Sequence, residues 1–148
     1  MLKLPPPIWA LAYVLIMAGA SYLAGWPRVP GLPLVWLAVV LIALGIALAA
    51  IAAMLFRREG TEFNPASTAN RMLVTSGPFR LTRNPMYLGV VIVALGIAFW
   101  VGAWPMFLAP IAIFATLNWV HVPFEEEKMR RQFGEAFDAY ARKVRRWI

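Results

Sequence analysis

Two short polar segments contain the residues of this chain that could do chemistry. The first runs from Arg80 through Arg83, Asn84 and Pro85 to Tyr87. Pro85 predicts the start of a helix, because proline suits a first helical turn and holds the residue before it extended. The free amides of such a turn, the helix dipole and the two arginines favour an anionic group or a carboxylate. The alternative is that the arginines are membrane-flanking charges and Tyr87 an interfacial aromatic residue, and the segment by itself favours neither interpretation.

The second segment is His121-Val122-Pro123-Phe124-Glu125-Glu126-Glu127. Pro123 predicts a new helix, whose first turn carries three carboxylates that complement the positive end of the helix dipole. His121 stands one helical turn before Glu125, where it could contact a substrate beside that carboxylate. The alternative is an acidic helix start with an imidazole at the bilayer surface, and for Glu127 we adopt this capping role.

The composition limits the chemistry further. The chain has one histidine and no cysteine, which excludes disulfides, thiolate metal ligands and thiol nucleophiles. Catalytic metal sites in proteins are built mainly from several His, Cys and carboxylate ligands acting together. We therefore predict that the protein has no catalytic metal.

Four apolar stretches must position the two polar segments. The chain is 61% hydrophobic and only 14% charged, and it is too short to bury four such stretches in a soluble core. Helices of roughly 18–25 residues cross a hydrocarbon core of about 30 Å, and a shorter stretch must lie close to the bilayer normal. The sequence predicts an all-α integral membrane protein with four transmembrane helices, at Ile8–Trp26, Leu32–Phe56, Tyr87–Val101 and Trp104–Val120.

The basic residues predict the orientation. Arg28 alone lies in the connection between the first two stretches, and the connection between the last two has no basic residue. Because basic residues flank the cytoplasmic ends of membrane spans, both termini, the middle loop and the active site are expected in the cytoplasm. The net charge of +7 on that face favours anionic lipid head groups over nucleic acid as partners. The residues concerned are Lys3, Arg57, Arg58, Arg71, Arg80, Arg83, Lys128, Arg130, Arg131, Arg142, Lys143, Arg145 and Arg146.

The N-terminal stretch has a competing interpretation. Lys3, an apolar run and Ala18-Gly19-Ala20 before Ser21 resemble a secretory signal peptide and its cleavage site. Cleavage would leave three spans and place one of the two basic regions outside, against the positive-inside rule. We therefore interpret this stretch as a membrane helix.

The residues after Pro123 predict one further, amphipathic helix. Apolar residues recur there at helical spacing, and Arg and Lys occupy the other faces. A helix of this kind lies at the membrane surface with its basic side in water, here on the cytoplasmic side. Its apolar stripe consists of Met129, Phe133, Phe137, Tyr140 and Val144.

Two spaced motifs resemble the isoprenylcysteine carboxyl methyltransferase and phospholipid methyltransferase superfamily, whose members are membrane-embedded enzymes that use S-adenosylmethionine. The resemblance covers about residues 73–148, and we expect a single domain over 1–148 with its catalytic half at about 71–148. Only hydrophobicity supports the first two helices. The motifs are Thr75-x-Gly77-Pro78-Phe79-x₃-Arg83-Asn84-Pro85-x-Tyr87-x-Gly89 and Glu125-Glu126-x₂-Met129-x₃-Phe133-Gly134-x₂-Phe137-x₂-Tyr140-x₃-Val144.

The resemblance implies roles for individual residues. His121 matches the position of a basic residue that contacts the substrate, and His121 and Glu126 are our candidate catalytic residues. Glu125 and Glu126 suit the cationic groups of S-adenosylmethionine. The residues expected around this cofactor are Met72, Leu73, Val74, Phe79, Asn84, Pro85, Met86, Tyr87 and Glu125.

Departures from the family pattern bear on the methyl acceptor. Asn84 stands where many members have His, and Phe137 stands where Tyr is frequent. His121 replaces the Arg of the carboxyl-methylating eukaryotic enzymes. Arginine is a permanent, bidentate clamp for a carboxylate, whereas histidine is only partly charged near pH 7. We therefore expect a lipid or small amphipathic acceptor rather than a prenylated protein.

Two other classes of protein share parts of this pattern. A small four-helix transporter is expected to carry an acidic residue within a span, and none of the four stretches contains one. A membrane reductase of the sterol-reductase type resembles the same C-terminal architecture but uses a nicotinamide cofactor. The Arg83-Asn84-Pro85-x-Tyr87 motif together with Glu125-Glu126 favours a methyltransferase.

Overall fold

The computed structural model describes residues 5–58 and 72–148. Within these ranges the regular structure is helical, and the one bridge of β type joins Arg28 to Ala103, in agreement with the predicted all-α class. Lys3 and Arg71, two of the basic residues used to predict the orientation, lie outside the described residues. The helices are α1 (Pro6–Leu23), α2 (Val35–Arg58), α3 (Pro85–Val101), α4 (Leu108–Thr116), α5 (Val122–Phe133) and α6 (Glu135–Lys143).

Three helical runs of the described chain are long and apolar enough to cross a membrane, namely Pro6–Leu23, Val35–Arg58 and Trp104–Phe133. The remaining predicted span is α3, which is apolar but has 17 residues. At 1.5 Å per residue it is about 26 Å long, slightly shorter than a hydrocarbon core of about 30 Å. The protein is therefore an integral membrane protein with three to four candidate membrane helices, and the crossing by α3 stays a prediction.

Helices α2 and α3 pack backbone against backbone. A Cβ atom added at Gly89 would lie 2.5 Å from the carbonyl oxygen of Gly45, and one added at Gly45 would lie 2.6 Å from that of Gly89. Farther along, a Cβ atom at Gly96 would meet the Ala38 carbonyl oxygen at 3.0 Å. Small residues allow membrane helices to approach this closely. The contact holds the beginning of α3, which carries Tyr87.

Backbone hydrogen bonds join the two short connections where α1 and α3 end. The Val29 N–H donates to the Gly102 carbonyl oxygen at 2.9 Å, and the Trp104 N–H donates to that of Pro27 at 3.1 Å. Gly102 ends α3 with a φ of +70°, a conformation that glycine adopts without a steric penalty. The chain then turns back into α4, which packs beside α3.

The prediction that Pro123 opens a new helix was wrong. Helical structure continues from Trp104 to Phe133, because a wide π-helical turn at Leu117–His121 precedes the proline. The Val122 N–H donates to the Leu117 carbonyl oxygen, five residues back. Proline lacks a backbone donor and its ring crowds the preceding turn, and a widened turn of this kind accommodates an irregularity without ending the helix.

The predicted single amphipathic helix is in fact two helices. Gly134, with a φ of +52°, separates α5 from α6. The bend brings the apolar side of α6 onto the rest of the protein: Phe137 is buried, and the Tyr140 hydroxyl donates to the Phe79 carbonyl oxygen at 2.7 Å. This part of the apolar stripe thus packs inside the molecule, and the location of the helix at the cytoplasmic membrane surface stays a prediction.

Candidate active site

A cleft lies where the end of α2, the start of α3, α5 and α6 meet. It encloses about 530 Å³ that atoms do not occupy, part of it open to solvent. Hydrophobic and aromatic side chains form most of its wall, and two carboxylates and one guanidinium provide charge. The lining residues are Phe56, Met72, Leu73, Val74, Phe79, Arg83, Asn84, Glu125, Glu126, Met129, Phe137 and Tyr140.

Tyr87 orients one of the two carboxylates. Pro85 begins α3, and this places Tyr87 in the first turn, where its ring is buried beside α5. The Tyr87 hydroxyl donates a hydrogen bond to Glu125 Oε1. This bond holds the Glu125 side chain at the cleft in a defined orientation.

Two arginines hold the other carboxylate. Arg83 Nη2 lies 3.0 Å from Glu126 Oε1. Arg146 contacts the same carboxylate with two nitrogen atoms of its guanidinium group: Nε lies 3.1 Å from Oε1, and Nη2 lies 2.6 Å from Oε2. Such two-point pairing fixes geometry as well as charge. The adjacent glutamates therefore have different surroundings: a neutral hydroxyl bonds Glu125, and a pair of guanidinium groups bonds Glu126.

Residues 144–148 follow α6 and lie across the segment that precedes α3. The Arg146 carbonyl oxygen accepts hydrogen bonds from Asn84 Nδ2 at 2.9 Å and from Thr82 Oγ1 at 3.1 Å. The Arg145 carbonyl oxygen accepts from the Arg83 N–H at 3.0 Å. One residue later, Trp147 Nε1 donates to Asn118 Oδ1 at 2.9 Å. These bonds tie the 144–148 segment to the residues that precede α3 and to the helical run Trp104–Phe133.

An aromatic wall closes one side of the cleft. Phe79 is buried and meets Phe56 edge to face, with ring centroids 5.1 Å apart. Burial raises the pKa of Tyr140 to about 12, so that its hydroxyl stays protonated and donates to the Phe79 carbonyl oxygen at neutral pH. Aromatic rings in such contacts form a rigid apolar surface.

Comparison with known proteins decides the family. The family model described as phospholipid methyltransferase matches residues 33–136, more than half of the chain. The chain belongs to the phospholipid methyltransferase family. This confirms the resemblance seen in the motifs, because the family is part of the integral membrane methyltransferase group that also includes the isoprenylcysteine carboxyl methyltransferases.

One curated protein is also similar to part of the chain. The chain is 30% identical over 63 residues to an uncharacterized protein of Haemophilus influenzae, an alignment that covers 43% of this chain and 100% of the relative. No solved structure matches the chain. The family match gives no support to a reductase or a transporter.

The cleft of this phospholipid methyltransferase family member contains most of the residues predicted for the cofactor. Six of the nine line it, and Glu126 lines it as well. Pro85, Met86 and Tyr87 do not: Pro85 is buried at the start of α3, Met86 packs against the cluster formed by Val74 and Phe79, and Tyr87 reaches the cleft only through Glu125. The six are Met72, Leu73, Val74, Phe79, Asn84 and Glu125.

His121 lies one turn before Glu125 but does not line the cleft. It ends the π-helical turn and is only 2% exposed. Its Nε2 atom is buried and has no hydrogen-bond partner in the part of the chain that the structure describes. Leaving a buried donor or acceptor without a hydrogen bond costs free energy, so this nitrogen could bind a polar group of a ligand. The contact between His121 and a substrate stays a prediction.

Sequence reasoning missed several cleft residues. Met129, Phe137 and Tyr140 belong to the amphipathic stripe, which we assigned to the membrane surface although their helical spacing was recognised. Arg83 was considered for an anionic ligand or as a membrane-flanking charge, whereas it pairs with Glu126. Phe56 ends the second apolar stretch, and no local signal distinguishes it from the membrane residues before it.

Proposed function

We propose that this protein transfers a methyl group from S-adenosylmethionine to a lipophilic or amphipathic acceptor at the cytoplasmic face of the membrane. The observation that carries the proposal is the cleft in which Tyr87 orients Glu125, in a chain that belongs to a membrane methyltransferase family. The cleft follows directly on apolar helices, so a water-soluble cofactor and a membrane-dissolved acceptor can meet there.

The residues of the cleft fit the cofactor. S-adenosylmethionine carries a sulfonium, an ammonium group and a carboxylate. Glu125 suits the cationic groups. Arg83 suits the carboxylate, because its Nε atom is buried without a hydrogen-bond partner among the described residues. The rings of Phe79 and Phe137 and the side chain of Met129 offer an apolar surface to the adenine.

When bound, the cofactor supplies a methyl group on an electron-poor sulfur, so that an acceptor lone pair can form the new bond to the methyl carbon while the carbon–sulfur bond breaks and its electrons stay on sulfur. The protein's part is to align the acceptor and to exclude water. Glu125 and the aromatic wall hold the cofactor in a fixed orientation. For an amine acceptor, we propose His121 as the base that takes up the proton released, which requires the acceptor to reach its buried Nε2 atom.

An apolar groove supports a lipophilic acceptor. It runs between α1, α2 and α3 and encloses about 820 Å³, part of it open to the surroundings. Small side chains form its floor, and it reaches Gly89, two residues after Tyr87 on α3. A hydrocarbon chain lying there would bring its polar end towards the cleft. The main residues of the groove are Ala10, Gly45, Ala49, Ala53, Gly89 and Val93.

The histidine at position 121 favours some polar groups on the methyl acceptor over others. A permanent carboxylate clamp needs a fixed positive charge with two donors, which arginine provides and histidine does not. We therefore propose a lipid head group or a small amphipathic amine as the acceptor. A prenylated carboxylate of the isoprenylcysteine type is the alternative that the experiment below distinguishes.

The test is methyl transfer by the purified protein in detergent or nanodiscs. Labelled S-adenosylmethionine would be supplied with phosphatidylethanolamine, with a prenylcysteine analogue or with no acceptor. We expect label in the phospholipid or a related amphipathic amine, and binding of S-adenosylhomocysteine by calorimetry. Stabilisation by NADPH with no response to S-adenosylhomocysteine would contradict a methyltransferase and favour a reductase.

A further inference from the structure

We propose that Glu126 and Arg146 form a positioning pair that holds the rim of the cleft, and that Glu126 neither reacts nor binds the cofactor. The inference rests on the proposed methyltransferase function and changes the role expected for Glu126. It assigns different roles to two adjacent carboxylates. Glu125 faces the cofactor, and Glu126 anchors the protein around it.

The contacts of Glu126 occupy both of its oxygen atoms. Oε1 lies 3.0 Å from Arg83 Nη2 and 3.1 Å from Arg146 Nε, and Oε2 lies 2.6 Å from Arg146 Nη2. The glutamate side chain is only 15% exposed. A carboxylate neutralised by two guanidinium groups has little attraction left for a cationic ligand.

Arg146 connects this ion pair to the start of α3. Its side chain is bonded to α5 through Glu126, and its own carbonyl oxygen accepts from Asn84 Nδ2 and Thr82 Oγ1. Asn84 immediately precedes Pro85, the first residue of the helix that carries Tyr87. One residue therefore sets the position of α5 relative to the start of α3, and with it the geometry between Tyr87 and Glu125.

Asn84 is part of the same arrangement. Its side-chain amide donates to Arg146, so this amide is committed to the 144–148 segment while the residue lines the cleft. Arg83, next to it, is held at both ends: its backbone N–H donates to the Arg145 carbonyl oxygen, and Nη1 donates to that of Ala141 at 3.4 Å. The cleft rim is therefore built from α6 and the 144–148 segment as much as from the motif that precedes α3.

The experiment compares three variants, Arg146→Gln, Glu126→Gln and the double variant, with the full chain purified in detergent. The probe is S-adenosylhomocysteine, its affinity is measured by calorimetry, and kcat and the cofactor KM are measured on the acceptor that the wild type accepts. We expect each single variant to weaken binding roughly tenfold, as the loss of a charge-assisted hydrogen bond predicts. The double variant should be no weaker than the worse single one, because the two residues act as a unit.

Controls separate positioning from general destabilisation. Arg145→Gln removes an adjacent, exposed guanidinium and should leave the affinity within about twofold of the wild type. Arg146→Lys keeps the charge but loses the two-point geometry, and it should recover part of the affinity. Tyr13→Phe removes the hydrogen bond between α1 and Thr116 of α4, neither of which lines the cleft, and should lower the thermal midpoint without weakening cofactor binding.

Three results would overturn the inference. One is a Glu126→Gln protein that is folded, binds S-adenosylhomocysteine normally and loses kcat alone, because Glu126 would then act in the reaction. Another is wild-type affinity in Arg146→Gln. The third is equal weakening by Tyr13→Phe, which would show that a loss of stability alone accounts for the effect. A wild-type protein that fails to bind S-adenosylhomocysteine would instead refute the proposed function, and the two failures are therefore distinguishable.

Discussion

The Tyr87 hydroxyl donates a hydrogen bond to Glu125 Oε1, although the two residues are 38 positions apart in the chain. Tyr87 stands in the first turn of α3, and Glu125 stands beyond the π-helical turn that follows α4. The bond therefore joins the two helices at the level of the cleft. Any change that moves one helix along the other is expected to alter the carboxylate that faces the proposed cofactor.

Removing the Tyr87 hydroxyl should loosen this carboxylate. In Tyr87→Phe, half-buried Glu125 loses its neutral donor, at a cost of about 1–3 kcal/mol. We expect a lower thermal midpoint in detergent and weaker binding of S-adenosylhomocysteine. Tyr22→Phe is the matched control, because that ring is 70% exposed and should tolerate the change. Wild-type behaviour of Tyr87→Phe in both measurements would contradict the role given to the bond.

Removing the charge of Glu125 should act on the cofactor more than on the fold. Glu125→Gln keeps the shape of the side chain and an acceptor for Tyr87. We expect S-adenosylhomocysteine to bind about 1–3 kcal/mol more weakly, the range for losing a charge-assisted hydrogen bond. Calorimetry on the folded variant measures this, with the exposed Glu135→Gln as the control. Unchanged affinity would remove Glu125 from the cofactor site.

Adding one methyl group at Gly89 should separate α2 from α3. The new Cβ would lie 2.5 Å from the Gly45 carbonyl oxygen, and overpacking of this kind costs roughly 1–3 kcal/mol. We expect Gly89→Ala to lower the thermal midpoint and reduce activity. Gly19→Ala is the control, since nothing lies within 4 Å of its added Cβ. Equal stability of the two variants would contradict the close approach.

The hydrogen bond of Tyr140 should be lost in alkali. Burial raises the pKa of Tyr140 from 10.0 to about 12. The folded state therefore favours the protonated hydroxyl, and the stabilisation is complete below about pH 10 and lost as the pH rises towards 12. The stability difference between the wild type and Tyr140→Phe should narrow over this interval, as measured by chemical unfolding at a series of pH values. A difference that stays constant with pH would show that ionisation of the Tyr140 hydroxyl does not affect the free energy of unfolding.

The orientation in the membrane can be tested with single cysteines, because the native chain has none. The positive-inside rule predicts that α6 is cytoplasmic. In intact cells, an impermeant thiol reagent should label Trp104→Cys, which lies at an exposed position between α3 and α4, and should not label Glu135→Cys until the cells are permeabilised. The reverse pattern would invert the proposed topology.

Features that depend on local chemistry could be predicted from the sequence. α3 begins at Pro85, as the Asn84-Pro85 pair indicates. The contact between Tyr87 and Glu125 is not local, and only the resemblance to a family placed the two residues at one site. Periodicity also could not show which part of the amphipathic stripe packs against protein, since a lipid-facing and a protein-facing helix surface are equally apolar.

Two positions show why local rules failed elsewhere. The rule that proline opens a helix holds for Pro85 but not for Pro123, because the wide turn before Pro123 allows helical structure to pass through it. The apolar residues keep their helical spacing on both sides of Gly134. The spacing therefore does not reveal that the helix is interrupted at this residue, where φ is +52°. The 144–148 segment is not helical, and its role depends largely on backbone carbonyl groups, which leave no trace in residue type.

The π-helical turn at Leu117–His121 amounts to one residue more than a regular α-helix would need over the same length. Each residue turns an α-helix by about 100°. If the same residues formed a regular α-helix instead, each would turn the chain by that full angle, and everything after them would be rotated by about one such step. Glu125 would then point away from Tyr87 while α4 kept its place among the membrane helices. The wide turn absorbs the extra residue and thereby keeps Glu125 directed towards Tyr87 and the cleft.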